Sequence, residues 1–82
     1  MNKQTSKSCL KVVRKDGLAL RFVFNQTEGI CLAAVKQNHR ALRFVWRQTV
    51  EVCREAVNQN RFAFELIRNQ SVKDILNGGG YV

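Results

Sequence analysis

Apolar residues recur along this chain in two alternating stripes. Cys9, Val12 and Val13 stand at i, i+3, i+4, and so do Cys31, Ala34, Val35 and Cys53, Ala56, Val57. That spacing marks one face of an α-helix. A second stripe follows, with Ala19, Phe22 and Val23 at the same spacing. It predicts a shorter second helix over Leu18–Asn25, His39–Arg47 and Arg61–Asn69. The first helix of each pair is preceded by Thr5, Thr27, Thr49 or Ser71. A hydroxyl there can accept an orphan backbone N–H, so these positions read as N-caps. Asp16, Asn38 and Asn60 close the first helix; such residues tolerate the left-handed conformation, and Gly17 favours it.

Placed in blocks of 22 residues, the chain aligns with itself without a gap. The blocks are 1–22, 23–44, 45–66 and a partial 67–82. Gln4, Gln26, Gln48 and Gln70 share a column, and Cys9, Cys31 and Cys53 share another. Val13, Val35 and Val57 align, as do Ala19, Ala41 and Ala63. Val23, Val45 and Ile67 open each following block. The chain therefore reads as one repeat domain, 1–82, of helix, tight turn and shorter helix.

Helices below ~12–15 residues are marginal alone in water, so each must bury its stripe on its neighbours. The expected fold is all-α, with short helix–turn–helix repeats stacked as a small α-solenoid. The competing architecture is a leucine-rich-repeat-like α/β solenoid, whose period runs ~20–29 residues. Segments such as LRFVW suit strands. The asparagine-rich leucine ladder of that family is missing, however, and the Ala, Leu, Arg and Gln content favours helix. The polar residues 1–8 and Gly78, Gly79 and Gly80 read as frayed edges or simple caps.

The phrase CLAAVKQNHRALRFVWRQT resembles the bacterial repeat family known as domain of unknown function 4116. Its units read approximately AVKQN-x-x-AL-x-[FY]-V-x-NQT. Ala34 to Asn38, Ala41 to Val45 and the linker Asn25-Gln26-Thr27 carry the resemblance. It covers nearly the whole chain. His39-Arg40 and Arg61-Phe62 stand where the family has a turn glycine, and the GGGYV ending also departs from it. The resemblance implies a helical repeat and no catalytic residues.

Composition narrows the function. Eighty-two residues form one small domain, and 45% hydrophobic content is too high for a disordered tail. No apolar run approaches the ~18 residues of a membrane span. None forms the ~7–15-residue core of a secretion signal either. Three cysteines, an odd number, do not suit a secreted disulfide scaffold. The expected location is cytoplasmic, with no membrane partner.

A metal site built from Cys9, Cys31, Cys53 and His39 competes with a reading of these thiols as buried. Zinc ligands come in close pairs such as C-x₂₋₄-C, and equivalent stacked helices lie ~8–10 Å apart. Buried small hydrophobes are therefore the favoured reading, with His39 a turn residue. The Gln and Thr columns could form a ligand ladder; capping and hydrogen bonding across repeats are favoured. The acidic residues recur in no column that suggests a carboxylate pair, and Gly78–Gly80 precede no phosphate-binding helix. No enzyme activity and no cofactor are expected.

The net charge of +8 is the main chemical lead, and the four blocks carry +5, +2, 0 and +1. Lys7, Lys11, Arg14 and Lys15 lie about a turn apart on the first helix and could form a phosphate-facing strip. Lys36, Arg40, Arg43 and Arg47 could extend it. Phe24 and Trp46 share a column with Arg68 and Asn2, so the slot tolerates polarity and is expected to be partly exposed. With Arg43 and Arg47 they would form an aromatic–arginine ridge suited to unpaired bases. The leading expectation is a non-enzymatic module binding a protein partner through Phe24, Arg40, Arg43, Trp46, Arg47 and Phe62. The alternative is nucleic-acid binding through Lys7, Lys11, Arg14 and Lys15. Self-association through open solenoid ends is a third.

Overall fold

The structure is a computed structural model that describes residues 6–77. Thr5 and Gln4, which the sequence placed in the cap and glutamine columns, lie outside the described residues, as do Gly78–Gly80. Four α-helices alternate with three 3-10 helices: α1 (Ser6–Lys15), η1 (Gly17–Phe22), α2 (Glu28–Gln37), η2 (His39–Phe44), α3 (Val50–Gln59), η3 (Arg61–Leu66) and α4 (Gln70–Leu76). Among the described residues there is no strand, which argues against the leucine-rich-repeat alternative.

Two of the expected caps form. Thr27 Oγ1 accepts from the Ile30 N–H and Thr49 Oγ1 from the Val52 N–H, both at 3.2 Å. Glu28 and Glu51 complement the helix dipole in the first turns of α2 and α3. Ser71 is not a cap. Asn69, two residues earlier, takes that role and accepts from the Ser71 and Val72 N–H groups.

The turn between the paired helices is extended, not left-handed. Asp16 has φ −147°, and Asn38 and Asn60 have φ −156°. Each serves both neighbours. The Asn38 N–H ends α2 on Ala34 O, and its side chain accepts from Arg40 N–H to start η2. Asp16 and Asn60 repeat this with Leu18 and Phe62. Gly17 answers a different need. A Cβ there would fall 2.3 Å from Ala34 O of the next repeat.

The second helix is a 3-10 helix of six residues, shorter than expected. Its period of three aligns i with i+3. Leu20 and Val23, and Leu42 and Val45, therefore point inward together and are buried; Phe22 turns out to 60% exposure, whereas its column mates Phe44 and Leu66 are half-buried against the core. The expected inward place of Phe22 is corrected on that ground.

Packing follows chain order: α1 lies on α2, α2 on α3, α3 on α4, and η1, η2 and η3 pack in turn. Each of α2 and α3 also packs on the 3-10 helix before it and the one after it. The core is built from the repeating columns Cys9/Cys31/Cys53, Val13/Val35, Ala41/Ala63 and Val23/Val45/Ile67. Val12 breaks the expected stripe at 50% exposure, whereas its column mates Ala34 and Ala56 are fully buried. No helix among the described residues is long and apolar enough to cross a membrane.

Candidate interaction surface

The glutamine column builds the edge on which Trp46 and Arg68 stand. Gln26 Nε2 donates to Phe44 O at 2.9 Å, and Gln26 Oε1 accepts from the Trp46 N–H at 2.9 Å. One repeat later, Gln48 Nε2 donates to Leu42 O at 3.0 Å and Leu66 O at 3.1 Å. Its Oε1 accepts from the Arg68 N–H at 2.8 Å. Each amide thus joins the exit of one 3-10 helix to the exit of the next. The partners are backbone groups, which no residue pattern displays. Gln70, without such partners among the described residues, donates to Asp74 Oδ1 at 3.0 Å.

Trp46, held by Gln26, and its column mate Phe24 face outward. Trp46 is 63% exposed and Phe24 76%. Arg68, their column mate, turns back, and its Nη1 donates to Arg43 O at 3.2 Å while Nη2 donates to Val45 O. Trp46 and Arg47 form a wall between two clefts. One, of about 490 Å³, is lined by Gln26, Thr27, Glu28, Cys31 and Thr49 on its far side. Its Glu28 carboxylate accepts from Thr49 Oγ1 at 3.1 Å. The other, of about 450 Å³, is lined by Gln48, Arg68 and Asn69.

The expected aromatic–arginine ridge is only partly assembled. Arg47 lies with Trp46, but Arg43 stacks over Phe44, 5.9 Å from the ring centre. Arg21 reaches the same ring at 6.0 Å and Phe22 at 4.7 Å. This second arginine–aromatic ladder runs along η1 and η2, and the sequence reading missed it. Arg21 and Arg43 are one repeat apart, and that spacing was the available signal. Phe62 (80% exposed) and Arg40 occupy the same slot in η3 and η2, each after the asparagine that starts its helix.

Lys7, Lys11, Arg14 and Lys15 are all exposed on α1. At ~100° per residue they span about a quarter turn, roughly opposite buried Cys9 and Val13. Arg14 and Lys36 meet at one cleft between α1 and α2.

Cys9, Cys31 and Cys53 are buried and free. Burial pushes the Cys31 thiol up to about 11, and the Glu28 carboxylate adds to the effect. Burial also pushes Cys53 up to about 11, with Arg68 pulling the other way. Both are neutral thiols at neutral pH and poor metal ligands or nucleophiles. Among the described residues no group of three or more His, Cys, Asp or Glu side chains is placed to hold a metal ion.

Comparison with known proteins gives no match among family models, curated proteins or solved structures.

Proposed function

We propose that this chain is a non-enzymatic interaction module, a small α-solenoid that presents exposed aromatic side chains to a protein partner. The resemblance to the domain of unknown function 4116 repeats agrees with that architecture. So do the chain-order packing and the glutamine bonds that recur every 22 residues. The observation that carries the function is exposure. Phe24, Trp46 and Phe62 are 76%, 63% and 80% exposed, while the framework columns beside them are buried. Covering such a side chain stabilises a complex by roughly 2–3 kcal/mol. Trp in particular anchors protein interfaces. Arg40, Arg43 and Arg47 supply a polar rim.

The test is capture of a partner by cross-linking, with wild type and a Phe24→Ser, Trp46→Ser, Phe62→Ser variant compared. The reading expects one partner retained at high salt by wild type and lost by the variant. Retention by the variant contradicts it. A second reading, nucleic-acid binding, is favoured by one observation: the four basic residues of α1 face away from the core together. Its signature is binding that weakens steeply as salt rises. Sedimentation at several concentrations separates both from self-association through open solenoid ends.

A further inference from the structure

The aromatic edge leaves one feature of the fold unused. Between α1 and α2 runs a cleft of about 580 Å³ with an apolar floor of Leu10, Leu32 and Ala33. These three are half-buried against the core, so their outer surfaces face solvent. Arg14 and Lys36 form the rim, and no acidic residue lines it. Gly29 opens one end, where an added Cβ would meet nothing nearer than Thr27 Oγ1 at 4.0 Å.

The repeat shows that this cleft is particular to the first pair of helices. In α3 the columns of Gly29, Leu32 and Ala33 hold Glu51, Arg54 and Glu55. Long charged side chains thus replace the apolar floor between α2 and α3. Beside its inward residues Ile30, Cys31, Ala34 and Val35, α2 carries half-buried Leu32 and Ala33 at the cleft. A helix that is apolar beyond its core face has a second face to cover.

We propose that the α1–α2 cleft docks an acidic amphipathic helix from a protein partner. The floor residues of α2 stand at i, i+3 and i+4 from Gly29, so the groove is about two helical turns long, on the order of 10 Å. That shape takes a short helix laid in a groove, with apolar anchors at i and i+3 or i+4. The charge selects the partner's sign. Arg14 and Lys36 stand at the cleft and Lys7 lies two turns from Arg14 on the same side of α1, so carboxylates beside the anchors face lysine and arginine. Nucleic acid finds the charge here but has no use for a leucine floor. The surface is distinct from the aromatic edge, so either can fail without the other.

The probe is a synthetic helical peptide with leucines at i, i+3 and i+7 flanked by glutamates, and a scrambled peptide of the same composition. Each is titrated into the isotopically labelled full chain at physiological salt and followed by amide NMR shifts. The expected result is saturable shifts at Gly29, Ala33 and Lys36 with the ordered peptide only. A Gly29→Tyr variant, which fills the groove mouth from open space, is expected to weaken binding at least about tenfold. An Arg14→Glu, Lys36→Glu variant is expected to do the same, and circular dichroism confirms that both remain folded. Equal shifts with the scramble overturn the proposal, as do absent shifts or undiminished binding to Gly29→Tyr. Shifts confined to Trp46 and Arg68 also overturn it while leaving the aromatic edge standing. An oligonucleotide that displaces the peptide and ignores Gly29→Tyr assigns the face to nucleic acid instead.

Discussion

The Arg68 backbone N–H donates to Gln48 Oε1 at 2.8 Å across 20 residues of chain. With Gln48 Nε2 on Leu42 O and Leu66 O, one side chain closes three backbone groups drawn from three successive blocks. Removing it leaves those groups without their partner, and an unsatisfied buried group costs ~1–3 kcal/mol. Gln48→Ala is expected to destabilise the fold by about 2–3 kcal/mol, read from urea unfolding. Gln70→Ala, which among the described residues loses an exposed bond to Asp74, is expected to stay within about 0.5 kcal/mol of wild type. Equal effects at the two sites would remove the glutamine column from the account of stability.

The two glycines of the described helices make opposite predictions. Gly17→Ala drives a Cβ to 2.3 Å from Ala34 O, a backbone atom that cannot swing away. It is expected to cost about 1–3 kcal/mol by forcing α2 from η1. Gly29→Ala meets open space within a helix, and is expected to stabilise by about 0.5 kcal/mol. Thermal unfolding of the two variants side by side checks the order.

The buried thiols give a pH dependence with a definite sign. Cys31 and Cys53 hold their protons to about 11 in the fold, against 9.0 in the open chain. The folded state therefore binds these protons more tightly. The stability they contribute is complete below pH 9 and declines as pH rises through 9 to 11, at up to about 1.4 kcal/mol per pH unit for each thiol. Cys53→Ala is expected to flatten that decline. At pH 8, alkylation by iodoacetamide is expected to be slow on the folded chain and fast in urea; rapid reaction of the folded chain would contradict the buried assignment.

Exposure at the aromatic edge predicts that stability and binding separate. Trp46→Ser and Phe62→Ser each remove a side chain that is more than half exposed. Each is expected to shift unfolding by no more than about 0.5 kcal/mol. Partner capture is expected to fall with both. A large loss of stability in either would make the residue part of the framework.

The repeat period and the α-helices were legible because burial imposes one residue type on a column. Cys9, Cys31 and Cys53 are one case and Val23, Val45 and Ile67 another. The 3-10 character of the second helix was not legible. Six residues are too few to separate a period of three from 3.6; the i to i−3 bonds from Val23 N–H to Leu20 O and from Val45 N–H to Leu42 O reveal it. Asn38 and Asn60 suit a left-handed turn and an extended cap equally well by residue type; the bonds to Arg40 and Phe62 decide for the latter. Ser71 matched a cap column, yet Asn69 in the preceding linker captures the same helix end. Gln26 and Gln48 stood out as a column without a partner, because their partners are backbone groups. The exposure of Phe24 and Trp46 was foreshadowed by Arg68 in their slot. The apolar floor of the α1–α2 cleft emerged only when Leu32 and Ala33 were set against Arg54 and Glu55.

The proposed function rests on the aromatic edge rather than on the net charge of +8. Fluorescence anisotropy of labelled single- and double-stranded oligonucleotides, at low and physiological salt, tests it most directly. The account predicts weak binding at low salt that vanishes at physiological salt. Tight binding that survives physiological salt and is lost when Lys11, Arg14 and Lys15 are replaced would contradict it.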